Sequence, residues 1–303
     1  MARPKLHVWI DAARPRTLPL ALSSTLLGSF LAAAEHRFNW SVFMLAIVTT
    51  VLLQILSNFA NDYGDFVNGK DTAERIGPAR MMQSGEIRPE VMVRAMIGAS
   101  ALAFVCGLAL IAAGTQGLAY SLQALYAMLG IAAIASALKY TVGKNPYGYR
   151  GLGDLFVFLF FGLTGALGTY FLHTHHLSAD VFLPASSIGF LSTGVLNLNN
   201  LRDIESDRRL SKRTLVVMMG ARRAKLYHAG LLAAAVVTGI AYTIIHYRTG
   251  FQLLFLLALP LFLKNLRVVF ATKHPAELNG ELRRLSLSTL LFSVAFGIGL
   301  LMR

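Results

Sequence analysis

Residues 41–65 read SVFMLAIVTTVLLQILSNFANDYGD, and they contain no charged residue before Asp62. An α-helix needs about 20 apolar residues to cross a bilayer, so the uncharged part of this stretch predicts a membrane-spanning helix. The stretch then ends in two carboxylates, Asp62 and Asp65. A spanning helix that ends in carboxylates is the pattern from which both the fold and the chemistry of this chain can be predicted.

Comparable apolar runs follow one another along the whole chain. Of its 303 residues, 55% are hydrophobic and 14% are charged, whereas a soluble domain carries about 25% charged residues. The runs predict nine spans, at 17–34, 41–61, 91–113, 118–138, 154–172, 180–201, 226–246, 251–270 and 284–302. We therefore expect an all-α, polytopic membrane bundle of about nine transmembrane helices around a central cavity, forming one domain over residues 1–303.

Two features of this pattern need separate interpretation. Basic residues before the first run and small residues at its end resemble a cleavable signal peptide. The run is longer than such peptides usually have, however, and Asp11 and Pro15 precede it, so we expect a retained first span. Cys106 is the only cysteine and lies within an apolar run, which indicates a packing residue.

The basic residues are distributed unevenly between the segments that join the spans. Of the 28 Lys and Arg residues, only Arg37, Arg248 and Arg303 lie outside the N-terminal segment and the segments after the even-numbered spans. Cytoplasmic segments of membrane proteins collect Lys and Arg. The pattern predicts a cytoplasmic N-terminus and an external C-terminus, and it explains the net charge of +13 without a nucleic-acid partner.

Two spans end in similar motifs of Asn and Asp. The first motif contains Asn58, Asp62 and Asp65, and the second contains Asn199, Asp203 and Asp207. On a helix, residues at these spacings lie on one face. Four spans separate the motifs, so both lie on the same side of the membrane and can face one cavity.

Clustered carboxylates at the end of a membrane helix require cations. A single Asp at a helix centre costs about 2.5–3.5 kcal/mol on insertion, and less near the end. Mg²⁺ is commonly bound by one or two carboxylates together with substrate phosphates, so the two motifs predict a diphosphate held by Mg²⁺. The alternatives are helix-end carboxylates without chemistry, or a secondary transporter whose carboxylates couple ions.

Basic and aromatic residues near the motifs suit the same ligand. The candidate phosphate ligands are Arg75, Arg80, Arg202 and Lys212. A loop between the fourth and fifth spans adds Tyr147 and Tyr149, whose rings could face a cation. The cations could equally reflect topology alone, and the tyrosines could be interfacial belt residues.

Two further groups receive no chemical role from the sequence. Asp154 begins the fifth span and could be only a helix N-terminal cap. His173, His175 and His176 are expected in a solvated loop on the outside, away from both motifs.

These residues together resemble the UbiA superfamily of intramembrane prenyltransferases. The resemblance rests on the two motifs and on the segments Gly69-Lys70-Asp71, Arg75-Ile76-Gly77-Pro78, Asn145-Pro146-Tyr147-Gly148-Tyr149 and Gly151-Leu152-Gly153-Asp154. It is greatest to the branch that prenylates 1,4-dihydroxy-2-naphthoate in menaquinone biosynthesis of Gram-negative bacteria. The hydroxybenzoate branch spaces its first motif Asp-x-x-x-Asp, whereas here Asp65 follows Asp62 by three residues.

The resemblance implies a specific reaction in the bacterial inner membrane. A polyprenyl chain passes from its diphosphate to 1,4-dihydroxy-2-naphthoate, CO₂ is lost, and demethylmenaquinone and diphosphate form. Mg²⁺ would be bound by the catalytic residues Asp62, Asp65, Asp203 and Asp207 and by Asp71, and Asn58 and Asn199 would help to bind the substrate. Another acceptor, such as 4-hydroxybenzoate or a porphyrin, remains the nearest alternative.

Overall fold

The computed structural model describes residues 5–71, 76–78 and 80–302. Within these ranges the chain is helical, with no β-strand, and nine segments are long and apolar enough to cross a membrane. These segments are Lys5–Ala34, Trp40–Val67, Pro89–Gly114, Tyr120–Lys139, Gly153–Thr174, Ala179–Arg202, Ala221–Ile245, Gly250–Ala271 and Pro275–Leu301. The prediction of an all-α membrane bundle with nine spans is therefore confirmed, and the chain is a multi-pass membrane protein.

Thirteen α-helices form these spans and the short segments between them. They are α1 (Lys5–Ala13), α2 (Leu18–Ala34), α3 (Trp40–Val67), α4 (Pro89–Gly114), α5 (Tyr120–Lys139), α6 (Gly153–Val157), α7 (Gly165–Thr174), α8 (Phe182–Arg202), α9 (Ile204–Arg209), α10 (Leu215–Met219), α11 (Ala221–Ile245), α12 (Leu259–Ala271) and α13 (Leu278–Leu301). A 3₁₀ turn, Pro15–Thr17, joins α1 to α2. A π-helical segment, Phe158–Thr164, joins α6 to α7.

The boundary of the last span differs from the prediction. The span begins at Pro275, well before residue 284, because a charged residue near its start lies inside the protein. Glu281 is buried, accepts a hydrogen bond from Asn265 at 2.9 Å and pairs with Arg284. A boundary drawn where charges begin misses a charge that is compensated in the interior.

Two hydrophobic cores hold the bundle together. The larger core joins residues of α2, α7, α8, α11, α12 and α13, and the smaller core joins α1, α3 and α4 with the segment after α3. No residue of α5, all of which the structure describes, is buried. The helix therefore lies at the edge of the bundle, where its side chains face lipid.

Small residues allow the fifth and sixth spans to approach closely. A Cβ atom added at Gly162 would lie 2.4 Å from the Cα atom of Gly189, so neither position has room for a side chain. Membrane helices commonly pack through small residues in this way. The contact fixes α8, which carries the second motif, against the π-helical segment.

The first and last spans also pack against each other. The Ser293 hydroxyl on α13 donates a hydrogen bond to the backbone oxygen of Ser23 on α2 at 2.7 Å, and both residues are fully or nearly fully buried. The Phe30 ring on α2 lies directly over Gly297 on α13. These contacts close the larger core.

The structure contradicts the prediction that His173 lies in a solvated loop. His173 is in the last turn of α7 and only 7% exposed. Its Nδ1 accepts the backbone N–H of Asn39 at 3.1 Å, and its Nε2 lies 3.2 Å from the Ser29 hydroxyl. The helix extends further than its polar sequence indicated because these partners satisfy the ring. His175 and His176 follow the helix and are exposed.

Candidate active site

A polar cavity lies where the two Asn–Asp motifs meet. It encloses about 670 Å³ of empty space, including its open mouth. The side chains and backbone that line it come from both motifs, the loop after α5 and the segment after α9, and they include Arg14, Asn61, Asp65, Lys70, Arg80, Tyr140, Tyr149, Asn199, Asn200, Asp203, Ser206, Asp207 and Lys212. The two motifs therefore face one cavity in the structure.

Close backbone contacts bring the loop after α5 to the first motif. A Cβ atom at Gly64 would lie 2.5 Å from the backbone oxygen of Thr141. The Thr141 hydroxyl donates to the backbone oxygen of Ala60 at 2.8 Å, and Asn68 donates to the backbone oxygen of Thr141 at 2.9 Å. A glycine between the two carboxylates of the motif is thus required for this approach.

Asp65 has three side-chain partners among the described residues. Its Oδ2 lies 2.5 Å from Nη1 of Arg80, and its Oδ1 lies 2.8 Å from Nζ of Lys212. The Tyr149 hydroxyl also donates a hydrogen bond to Oδ1. Asp65 is 1% exposed, and a buried carboxylate of this kind is stable only when such partners surround it.

The same surroundings shift the pKa values of Arg80 and Tyr149, the two loop residues that bind Asp65. Burial by itself lowers the pKa of Arg80, but the carboxylates of Asp65 and Asp71 outweigh it and hold the pKa above its usual value. Burial raises the pKa of Tyr149, and the neighbouring carboxylate of Asp65 raises it further. Both groups therefore remain hydrogen-bond donors at neutral pH.

Arg202 holds the second motif together. Its guanidinium binds Asp203 in a fork, with Nε at 2.8 Å from Oδ1 and Nη2 at 2.6 Å from Oδ2. Nη2 also donates to Oδ1 of Asn199 at 2.8 Å, and Nη1 donates to Asn279 at 3.1 Å. Arg202 is 3% exposed, so its guanidinium orients the motif and does not line the cavity wall as Asp203 does.

Asp207 follows a break between α8 and α9 and still faces the cavity. Its backbone N–H donates to the backbone oxygen of Asp203 at 2.8 Å, which preserves the helical spacing across the break. Lys212 Nζ lies 3.9 Å from Oδ1 of Asp207 and 5.0 Å from the centre of the Tyr149 ring. One ammonium group therefore stands between a carboxylate of each motif.

The donor set of the cavity suits Mg²⁺ together with an anionic substrate. Within the part of the chain that the structure describes, no three carboxylate, His or Cys side chains converge as a ready-made ion site. Carboxylates of both motifs nevertheless face one cavity, and the Lys212 ammonium bridges two of them. A hard divalent cation needs only one or two carboxylates when phosphate oxygens complete its coordination, so the residues present fit Mg²⁺.

Asp62 and Asp71 lie behind the cavity wall. Asp62 accepts a hydrogen bond from the backbone N–H of Met81, while its buried Oδ1 has no hydrogen-bond partner among the described residues. Asp71 Oδ2 lies 3.6 Å from Nε of Arg80. Asp62 therefore lies next to the cavity with one oxygen that has no hydrogen-bond partner among the described residues. Asp71 forms an ion pair with Arg80 and so helps to orient its guanidinium.

The remaining predicted site residues have other placements. The side chain of Asn58 binds the segment between α1 and α2 through Ala13 and Thr17. The Tyr147 hydroxyl donates to the backbone oxygen of Ser136 at 2.8 Å, and its ring stacks on Phe156 with centroids 4.1 Å apart. Arg75 lies outside the described residues.

Asp154 is not the helix cap that its position suggested. Leu152 occupies the N-cap position of α6, whereas Asp154 is buried and accepts a hydrogen bond from the Tyr227 hydroxyl. The partner comes from α11, two spans later in the chain, so a local sequence pattern could not identify it.

Several residues of the cavity were not predicted from the sequence. Arg14, Asn61, Lys70, Tyr140, Asn200 and Ser206 line it. Asn61 and Asn200 each lie beside a motif residue and could have been included by adjacency. Arg14 carried no such signal, because it stands before the first span, where the positive-inside rule already accounts for basic residues.

Comparison with known sequences identifies close relatives. The sequence model of the UbiA prenyltransferase family matches residues 21–290. The chain is 45% identical to the 1,4-dihydroxy-2-naphthoate octaprenyltransferase of Haemophilus influenzae, over 99% of this chain and 98% of that protein. It is 42% identical to the Escherichia coli protein of the same name, over 98% of this chain and 96% of that protein.

Comparison with solved structures identifies the fold. A UbiA homolog from Aeropyrum pernix, 16% identical, superposes with a TM-score of 0.66 over 99% of this chain and 98% of that chain. A UbiA homolog from Archaeoglobus fulgidus bound to DMAPP and Mg²⁺, 15% identical, has a TM-score of 0.66 over 97% and 99% of the two chains. The whole chain therefore has the fold of these homologs.

Proposed function

The chain belongs to the UbiA prenyltransferase family, and we propose that it transfers a polyprenyl chain from polyprenyl diphosphate to 1,4-dihydroxy-2-naphthoate. Relatives that carry this activity in their names match the chain over nearly its full length. The observation that carries the proposal is the cavity itself, in which Asp65, Asp203 and Asp207 face one another beside Arg80 and Lys212. Carboxylates that can bind a divalent cation and cations that can bind phosphate oxygens suit a diphosphate with Mg²⁺.

The motif carboxylates would hold Mg²⁺ in this cavity. Asp65, Asp203 and Asp207 line the wall, and Asp62 adds a buried oxygen without a partner in the described chain. When bound, Mg²⁺ supplies positive charge to the oxygens of the leaving diphosphate. Asp71 would act indirectly, through Arg80.

The cationic side chains act on the same leaving group. Arg80 and Lys212 reach the cavity from two separate loops, and their donors can bind diphosphate oxygens as the carbon–oxygen bond breaks and its electron pair passes to the diphosphate. Such preorganised donors stabilise charge that develops in the transition state. Tyr149 keeps Asp65 oriented through its hydroxyl, and Arg202 keeps Asp203 oriented through its fork.

The remaining bond changes of the reaction occur in the acceptor. The ring carbon that carries the carboxylate forms the new bond to the prenyl carbon, and the bond to the carboxylate then breaks to release CO₂. The electrons of that bond restore the aromatic ring. The products are demethylmenaquinone in its reduced form, CO₂ and diphosphate, which is the reaction of menaquinone biosynthesis.

The location follows from the fold and the distribution of charge. We propose that residues 1–303 form one domain in the bacterial inner membrane, with the cavity opening to the cytoplasm and the C-terminus outside. The Lys and Arg residues on the segments that flank both motifs support this orientation. Lipid around the bundle gives the long prenyl tail an apolar environment.

The test is an assay of the purified protein with defined substrates. Polyprenyl diphosphates of several lengths are combined with 1,4-dihydroxy-2-naphthoate or 4-hydroxybenzoate, with Mg²⁺ or with a chelator, and products are identified by mass. We expect prenylated naphthalenediol and CO₂ from the carboxyl-labelled naphthoate only when Mg²⁺ is present. Prenylation of 4-hydroxybenzoate alone, or ion-driven uptake into vesicles without any product, would overturn the proposal.

A further inference from the structure

The segment between α1 and α2 is held by the first motif helix. Nδ2 of Asn58 donates to the backbone oxygen of Ala13 at 2.8 Å and to the Thr17 hydroxyl at 3.0 Å. Gln54, one turn earlier on α3, donates to the same Thr17 oxygen at 3.1 Å and to Oδ1 of Asn58 at 3.3 Å. The side-chain amide of Asn58 therefore forms hydrogen bonds with the end of α1 and the segment that follows it.

Arg14 is the first residue of this segment and has an unusual backbone conformation. Its φ is 51° and its ψ is 66°, which lies in the left-handed region that residues other than glycine rarely adopt. Thr17 fixes this conformation by donating from both its hydroxyl and its backbone N–H to the Arg14 backbone oxygen, each at 2.9 Å. A strained residue that its surroundings over-determine is a common feature of binding sites.

The strained backbone directs the Arg14 side chain into the cavity. Nη1 of Arg14 donates to Oδ1 of Asn61 at 3.2 Å, and Nη2 of Arg80 donates to the same oxygen at 2.8 Å. Both guanidinium groups line the cavity, and Asp62 lies close enough to interact with both charges. Two guanidinium groups that converge on one neutral amide oxygen form a fork that suits an oxyanion.

We propose that Arg14 is a further oxyanion-binding residue of this active site and that Asn58, through Thr17, is the residue that positions it. The inference rests on the proposed function for the identity of the substrates. The oxyanion is either the diphosphate of the prenyl donor or the carboxylate of the acceptor, since both present the same chemistry to a guanidinium group. Asn58 is on this account a positioning residue and not a metal ligand.

The kinetic test compares Arg14→Ala with Arg16→Ala. Arg16 lies two residues further along the same segment, is exposed and does not line the cavity, so its replacement removes the same charge from the segment without removing a side chain of the cavity wall. We expect Arg14→Ala to raise KM for one substrate by roughly ten- to a hundredfold, as the loss of a charge-assisted hydrogen bond predicts, and Arg16→Ala to leave it unchanged. A rise for the prenyl diphosphate alone identifies the diphosphate, and a rise for the carboxylate acceptor alone identifies the carboxylate.

Positioning is tested by Thr17→Val, which keeps the shape of the side chain and removes its hydroxyl. We expect the same substrate's KM to rise, by less than in Arg14→Ala. Added guanidinium should restore part of the activity of Arg14→Ala, which a merely structural defect would not allow. Wild-type kinetics in Thr17→Val would overturn the positioning role of Asn58.

Binding measurements separate this inference from the proposed function. The affinity of the purified protein for inorganic diphosphate with Mg²⁺ does not depend on which acceptor is prenylated. If the wild-type protein prenylates a different aromatic carboxylate, the proposed acceptor is wrong, and a KM that rises in Arg14→Ala but not in Arg16→Ala, for that acceptor or for the prenyl diphosphate, still supports the inference. Equal effects in Arg14→Ala and Arg16→Ala, or no effect on either substrate in Arg14→Ala, would overturn the inference.

Discussion

Nζ of Lys212 lies 2.8 Å from Oδ1 of Asp65 and thereby joins the end of the second span to a loop that follows the sixth. The pair is nearly inaccessible to solvent, with 11% of the lysine side chain and 2% of the aspartate side chain exposed. The two motifs are therefore coupled electrostatically across the cavity.

Because Lys212 pairs with Asp65, its replacement should reduce activity more than the replacement of an exposed cation on the same segment. We expect Lys212→Met to reduce kcat/KM for the prenyl diphosphate by about tenfold to a hundredfold, because a charge-assisted hydrogen bond contributes ~1.5–3 kcal/mol. Arg208→Met is the matched control, since Arg208 is on the same segment and its side chain is half exposed. Steady-state kinetics of both purified variants decide the matter, and equal losses would show that only the net charge of the segment is important.

Replacement of Asp65 should affect turnover more strongly. We expect Asp65→Asn to reduce kcat by about 10²–10³, the loss typical of removing one electrostatic stabiliser of a transition state. The amide oxygen can still accept from Tyr149 and Lys212 at the Oδ1 position, whereas the amide nitrogen then faces Arg80, so the amount of folded protein is measured together with turnover. Glu205→Gln provides the control, because its side chain is 64% exposed. Activity close to the wild-type level in Asp65→Asn, measured at equal amounts of folded protein, contradicts the assigned role.

The fork between Arg202 and Asp203 predicts a difference between two arginines. Arg202→Ala leaves the buried Asp203 carboxylate without its guanidinium, so we expect both a lower melting temperature and a higher Mg²⁺ requirement. Arg222→Ala should change neither, since Arg222 is exposed at the start of α11. Thermal unfolding and Mg²⁺ titration of activity give the two measurements. Similar behaviour of the two variants would mean that Arg202 contributes only to topology.

The close approach at Gly64 can be tested with a matched glycine. Gly64→Ala would force a Cβ atom against the Thr141 backbone, and we expect a loss of roughly 1–3 kcal/mol of stability together with reduced activity. Gly130→Ala, in the middle of α5, meets nothing within 4 Å and should be neutral or slightly stabilising. Thermal unfolding in one detergent compares them. A Gly64→Ala protein as stable as the Gly130→Ala protein would contradict the contact.

The proposed orientation predicts which loops are accessible from each side. Single cysteines are introduced near residue 210 and at His175, after replacement of Cys106. A membrane-impermeant thiol reagent should label the cysteine at position 175 in intact spheroplasts and the other only after lysis. Labelling of position 175 only after lysis is the result that would reverse the orientation.

The fold and part of the site could be predicted because their determinants are local. Apolar runs locate the spans, and the spacing of Asp203 and Asp207 places them on one face, which the break after α8 does not disturb. The contribution proposed for Arg14 could not be predicted, since it depends on the contact of Asn58, on α3, with Thr17, in the 3₁₀ turn before α2. The same applies to Tyr149, whose role is apparent only from its contact with Asp65.

Motif spacing was less informative about what each polar group binds. Arg202 was expected to contact substrate because it stands inside the second motif, and in the structure it is occupied by Asp203, Asn199 and Asn279. Spacing indicates which side chains are near one another. It does not indicate which of the neighbouring groups each charged side chain binds.

The contact between Ser293 and Ser23 has a consequence for biogenesis. The ribosome delivers the first span long before the ninth, so α2 enters the membrane without the helix that completes its packing. Until α13 arrives, the side of α2 that carries Ser23 and Phe30 lacks the helix against which it packs in the folded protein. The larger core therefore reaches its final form only after α13 has entered the membrane, whereas the contacts of α2 with α3, α7 and α8 can form before then.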